Sequence, residues 1–252
     1  MAGIDLNALA VATHAHDHVD IVPHGLVGLS LGSLIVTTVL LIRHGQTSAN
    51  RSGVLAGRTP GVDLDGTGRR QARSLATRLK RVPLAAIVHS PLERCAQTAG
   101  AVAVHHPDVA VHAEAGVIEC DYGRWTGQPL TELAKDPLWE QVQRTPSSVT
   151  FPGGESMDAM AQRAVRSVGE WVGRFPEGVV AVVSHGDVIK AILSAALGQD
   201  LDEFQRIVIG PGSLSIVHYS EHRPAVLRMN DMGRSLPVAP GSGRPTVGGG
   251  TG

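Results

Sequence analysis

Hydrophobic positions in this chain fall into two kinds of run, one continuous and one periodic, and the two alternate. Val36 to Ile42 is apolar apart from Thr37 and Thr38, and it stops at Arg43, His44 and Gly45. A short uninterrupted run of this kind predicts a strand buried on both faces. Gly57 to Gly68 is rich in turn residues, and Arg69 to Arg81 then carries Ala72, Leu75, Ala76 and Leu79 at helical spacing. Leu84 to His89 predicts the next strand, and Ser90-Pro91 reads as the N-cap and first residue of a helix. Val109 to His112 predicts a third strand. Ala113 to Pro152 loses periodicity apart from short helical pieces, which predicts a long excursion over one end of the sheet. From Glu155 to Phe175 the periodicity returns, with Met157, Met160, Ala164, Val168 and Trp171 on one face of a helix. Gly178 to Val183 is again a continuous apolar run, followed by a helix over Val188 to Leu197 that Gly198 closes. Strands near Ser213 to Tyr219 and Ala225 to Met229 complete the pattern.

Alternating strands and helices, with the clearest strands fully apolar, predict an α/β fold: a three-layer sandwich whose mostly parallel central sheet is covered by helices on both faces. In such sheets ligands bind at the carboxyl ends of the strands, where Arg43, His44, the Ser90 to Arg94 segment and His185 all fall. Residues 36–232 read as one domain. Residues 1–35 read as a leader, disordered or a misplaced start with Val36 as the initiator. The Gly-, Pro- and Ser-rich stretch 233–252 reads as a disordered tail. Gly25 to Ile42 is uncharged over 18 residues, close to a membrane span in length. No Lys or Arg precedes Arg43, however, and a buried strand explains its second half better, so no membrane association is expected.

The net charge of −1, from 22 basic and 23 acidic residues, gives no global field for nucleic acid or an anionic membrane, so any anion site must be local. Two cysteines, Cys95 and Cys120, lack CxxC spacing and read as packing residues in a reducing, cytoplasmic compartment. His14, His16 and His18 cluster in the leader but offer no fixed geometry, and no metal or other cofactor is expected.

The apolar run that ends LIRHGQT recurs about 140 residues later as VVSHGDVIKA. Between them lie SPLERCAQTA from Ser90, Glu119 followed by DYGRWTG, and the FPGGES turn from Phe151. In this order the motifs resemble the histidine phosphatase superfamily, also called phosphoglycerate mutase-like, over Thr37 to about Met229. Within it the chain looks most similar to a high-GC bacterial subgroup labelled probable phosphomutase or phosphatase. The resemblance implies that His44 is a nucleophile that takes a phosphoryl group onto a ring nitrogen, and that Arg43, Arg94 and His185 form the phosphate pocket. It makes Glu119 the general acid and base, and Asn50 a polar pocket residue, with a small phosphorylated metabolite as partner. Gln46, Thr47 and Gly186 belong to the same motifs and are expected to contact substrate. A homodimer is left open.

A phosphoglycerate mutase of this family needs extra cations around its pocket, yet Glu114 to Asp158 carries eight acids and three bases. No lysine stands in Gly127-Gln128-Pro129-Leu130 and no Arg-Arg pair precedes Pro152, which favours a phosphatase over a mutase. Tyr122, Trp125 and Arg58 are candidates for the non-phosphate half of the pocket, Arg58 for a second anionic group. The alternative outside enzymology is a regulatory or binding module of the same fold.

Overall fold

The computed structural model describes residues 36–233. The leader, with its histidine cluster, and the glycine-rich tail beyond Gly233 lie outside the described residues. In chain order the elements are β1 (Thr37–Arg43), α1 (Ser48–Arg51), α2 (Gly66–Leu79), β2 (Leu84–His89), α3 (Glu93–Ala103) and β3 (Val111–Ala113). Then follow α4 (Leu130–Leu133), α5 (Pro137–Arg144), α6 (Met157–Arg174), β4 (Val179–Ser184), α7 (Gly186–Leu197), β5 (Leu214–Tyr219) and β6 (Ala225–Asp231). Single 3₁₀ turns punctuate the segment from Ala115 to Ser148.

The six strands form one sheet in the order β3-β2-β4-β1-β5-β6. The pairs β2–β3, β2–β4 and β1–β4 are parallel, whereas β5 runs antiparallel to both β1 and β6. Side chains alternate between faces along a strand. Val39, Leu41, Val180 and Val182 therefore join one core with Met160, Val168, Ile189 and Ile192 of α6 and α7. Leu40, Ile42, Ala181 and Val183 join the other, with Leu75, Ala76, Ala99 and Val102 of α2 and α3. Because both faces are covered, β1 and β4 could not carry the polar alternation of a half-exposed strand, and their sequences are accordingly continuous apolar runs.

The helix after β2 begins later than the sequence pattern suggests. Its N-cap is Leu92 and its first residue Glu93, so Ser90 and Pro91 lie in the preceding turn. The Ser90 hydroxyl is engaged instead by His185 Nε2 at 2.7 Å. The helix α7 starts two residues before the expected Val188, directly after His185, and ends at Gly198 in the left-handed conformation with φ 68°. Among the described residues, no helix is long and apolar enough to cross a membrane.

Candidate active site

Two neighbouring parallel strands bring the two histidines together. In the β1–β4 register Arg43 stands opposite Ser184, so His44 and His185, each one residue further, leave the sheet side by side. Their rings meet edge to face with centroids 5.3 Å apart. His44 is followed by Gly45, whose missing side chain is a packing requirement: a Cβ there would come within 2.5 Å of the Gly68 carbonyl oxygen. The turn is thus pressed onto the start of α2. The Gly45 N–H donates to Thr98 Oγ1 of α3 at 3.1 Å, fixing it from the other side.

The tautomers follow from the partners. His44 Nδ1 lies 2.8 Å from the Gly45 carbonyl oxygen, which can only accept, so Nδ1 carries the proton and Nε2 the lone pair of the neutral ring. Burial, then Arg94 and Arg43, hold the His44 pKa well below its ordinary 6.5, so the ring is neutral at physiological pH. His185 Nδ1 lies 3.2 Å from Arg94 Nη2, which can only donate, so Nδ1 accepts and Nε2 donates to Ser90 Oγ. Its pKa is likewise pressed well down by burial, then by Arg94 and His44.

Arg94 is 2 % exposed. Its Nη2 donates to the Gly57 carbonyl at 2.7 Å, while its buried Nη1 has no hydrogen-bond partner among the described residues. A buried guanidinium nitrogen left without an acceptor is costly, and an anion in the adjoining cavity would satisfy it. Arg43 is almost fully buried and donates from Nη1 to the Ile209 carbonyl.

Glu119 comes from the long excursion and is held over the strand ends by its backbone. Ser184 Oγ donates to the Val117 carbonyl at 2.8 Å, tying the excursion to β4. Arg163 of α6 donates to the carbonyls of Gly116, Ile118 and Glu119 at 2.9, 2.7 and 3.1 Å, and to Glu155. The Glu119 carboxyl accepts the Cys120 N–H at 3.0 Å and stands 3.8 Å from His185 Nδ1. Burial, then Asp187, raises its pKa to about 7 against the pull of Arg94 and Arg43.

A cavity of about 250 Å³ opens on this group, lined by Arg43, His44, Arg94 and Glu119 and, further out, by Gln46, Thr47, Asn50 and Gln71. His185 is fully buried and supports Arg94 and His44 from behind rather than lining the cavity. The candidates for the outer half fare differently. Tyr122 is fully buried, its hydroxyl donating to Asp187 Oδ2 at 2.8 Å and its ring packed on Phe151. Trp125 packs between Phe151 and Trp139. Arg58 turns to Glu155 at 2.8 Å and Asp121 at 3.7 Å, and Gly186 begins α7; none of the four lines the cavity. Large aromatic side chains have more apolar area to bury than the mouth of a polar cavity can offer, which sends Tyr122 and Trp125 into the core.

Residues 39–232 match the model of the histidine phosphatase superfamily (branch 1). The chain belongs to that superfamily. It is 33% identical over 195 residues to phosphoserine phosphatase 1 of Hydrogenobacter thermophilus, covering 76% of this chain and 91% of the relative. It is 31% identical over 199 residues to the glucosyl-3-phosphoglycerate phosphatase of Mycolicibacterium vanbaalenii, covering 75% and 87%. Among solved structures, Bacillus stearothermophilus YhfR superposes with a TM-score of 0.72 at 28% identity, over 77% of this chain and 97% of that one. As in the superfamily's name, a histidine stands at the centre of the site, and its ring nitrogen Nε2 is the atom with a free lone pair.

The motifs assign no role in the site to several of its residues, although all but Arg163 fall within SPLERCAQTA or VVSHGDVIKA. Ser90, Thr98 and Arg163 act on the histidines, the Gly45 turn and the Glu119 backbone from α3, α6 or the turn after β2. Asp187 and Lys190, 3.3 Å apart and both fully buried, form an ion pair behind Glu119. The spacing of Asp187 and Lys190, three apart on a helix that is otherwise apolar, was the available signal.

Proposed function

We propose that this protein is a phosphatase that hydrolyses phosphate monoesters of small metabolites through a phosphohistidine on His44. The observation that carries the reading is the neutral, Nδ1-protonated His44 presenting Nε2 to a cavity that also holds Arg43, the unsatisfied Nη1 of Arg94, and a carboxyl with a pKa of about 7.

In the first half-reaction Nε2 attacks phosphorus, the bond from phosphorus to the ester oxygen breaks, and the Glu119 proton moves to that oxygen, releasing the alcohol. In the second, the Glu119 carboxylate takes a proton from water, the water oxygen attacks phosphorus, and the N–P bond breaks to return neutral His44 and inorganic phosphate. Dividing a slow hydrolysis between two transfers is what a nucleophile contributes. Arg43 and Arg94 stabilise charge on the phosphoryl oxygens, a donor role typically worth 10² to 10³ in rate, roughly. Acid–base help of the kind assigned to Glu119 contributes about 10²- to 10⁴-fold. His185 holds Arg94 through Nδ1.

Acid-quenched and alkali-quenched samples of the protein with p-nitrophenyl phosphate test this. Wild type is expected to release phosphate and to carry an acid-labile, alkali-stable phosphoryl group, and His44→Ala to do neither. Retention of activity within a few-fold in His44→Ala would overturn the reading.

A further inference from the structure

The outer half of the cavity has its own chemistry. Its cations, Arg43 and Arg94, both belong to the His44 end, and every other lining residue except Glu119 is uncharged. Arg58, the sequence candidate for a second anionic group, is committed: Nη2 to Glu155, Nη1 near Asp121, and Nε donating to the Glu119 carbonyl at 2.8 Å. A second carboxylate or phosphate on a substrate would meet neutral walls with no further cation to pair it.

What the outer half does offer is neutral amides. Asn50 Oδ1 accepts from the Thr47 N–H at 3.1 Å and from its hydroxyl at 3.0 Å, so its Nδ2 group is left as a donor. Gln71 Oε1 accepts from the Gln46 N–H at 2.8 Å, which fixes that side chain and leaves Nε2 without a partner among the described residues. The Gln46 side-chain amide makes no hydrogen bond among the described residues and has both a donor and an acceptor to give. The remaining walls include Val54, Leu55, Leu130 and Pro211. Amide donors beside an aliphatic wall suit a molecule with hydroxyls on one side and C–H groups on the other. The volume of about 250 Å³ lies below the roughly 300–1,000 Å³ of sites that enclose drug-sized ligands.

Resting on the phosphatase reading, we infer that the substrate is the phosphate monoester of a small, uncharged, hydroxyl-bearing alcohol, a sugar or polyol monophosphate, and that Gln46 and Gln71 recognise its hydroxyls. Phosphate ionisation binds it to Arg43 and Arg94, and the neutral half decides among esters. An acidic alcohol is disfavoured because its charge must be desolvated without a compensating cation.

Initial rates of the full chain on sorbitol 6-phosphate and glucose 6-phosphate, on O-phosphoserine and 3-phosphoglycerate, and on p-nitrophenyl phosphate test this. The neutral esters are expected to exceed the acidic ones by at least about tenfold in kcat/KM. Acidic esters cleaved equally well or better, with p-nitrophenyl phosphate also cleaved, would overturn the substrate class and leave the phosphatase reading standing. No cleavage of any ester and no phosphohistidine would instead sink the phosphatase reading, and this inference with it. Gln71→Leu is expected to lower kcat/KM for sorbitol 6-phosphate about three- to tenfold more than for p-nitrophenyl phosphate, the loss of one neutral hydrogen bond. An unchanged ratio in a variant that melts like wild type would remove Gln71 from recognition.

Discussion

Glu119 is a carboxyl whose proton affinity is set by what lies behind it. Burial is the larger cause of its pKa of about 7, and the charge of Asp187 the next. In the proposed mechanism the first transfer needs the protonated carboxyl and neutral His44, so kcat/KM falls as pH rises through about 7 and falls again in acid where His44 takes up its proton. Asp187→Asn removes a negative charge that raises this pKa, and its side-chain oxygen can still accept the Tyr122 hydroxyl. The alkaline limb of kcat/KM should therefore move to lower pH, and a limb that stays in place would show that Asp187 does not tune Glu119. Breaking the pair with Lys190 costs about 3–5 kcal/mol of stability, so Asp187→Asn combined with Lys190→Met, which removes the lysine charge that Asp187→Asn would strand, is the companion variant. Asp187 falls within VVSHGDVIKA, but what it acts on could not be read there, because Tyr122 and Glu119 stand more than 60 residues away. The family resemblance singles out Arg43, His44, Arg94, Glu119 and His185, and the structure brings these side chains together, with His185 behind the cavity lining. Arg58 was misplaced because its acidic partners are contributed by other segments, and a sequence displays a cation without showing what neutralises it.

At the scale of elements, the strands were readable because burial on both faces leaves a signature in composition, whereas the start of α3 was not. Ser90-Pro91 has the local chemistry of a helix start, but the Ser90 hydroxyl bonds His185 and the helix waits until Glu93. A tertiary partner outweighed a local cap worth about 1 kcal/mol. The junction of the β1 turn with α2 is governed by backbone contact that no hydrophobic pattern records. A Cβ on Gly68 would stand 2.0 Å from the Gln46 carbonyl oxygen and 2.8 Å from the Gln46 nitrogen. Because the obstacle is backbone, no side-chain rotation relieves it. Gly68→Ala is expected to destabilise the protein by about 1–3 kcal/mol, the usual cost of overpacking. It should also push Gln46, and with it the His44 turn, out of register with Arg94, lowering kcat by more than the loss of folded protein accounts for. Urea denaturation and active-site titration of phosphohistidine together check both parts. A variant as stable and active as wild type would mean that α2 slides freely against the turn.

For the whole molecule, assembling these groups in one buried site links folding to pH. His44 and His185 have folded pKa values depressed from 6.5, so the stability they contribute is complete above 6.5 and is lost as pH falls toward their folded values. Glu119 has the opposite sign. Its pKa rises from 4.5 to about 7, so its contribution is complete below 4.5 and is lost as pH rises from 4.5 to 7. Between pH 5 and 6 the unfolded chain therefore binds more protons than the folded one on the histidines and nearly one fewer on Glu119. The histidines make stability rise with pH in this window, and Glu119 opposes them. Glu119→Gln keeps the shape of the protonated carboxyl but cannot ionise in either state, so the opposing contribution disappears and the histidines act alone. Urea denaturation at pH 5 and pH 6 should thus give a steeper dependence in Glu119→Gln than in wild type, by about 1 kcal/mol per unit, with equal m-values. Equal slopes in the two proteins would mean that Glu119 is already ionised in the folded state at pH 5 to 6, and that this carboxyl holds no proton to give a leaving group.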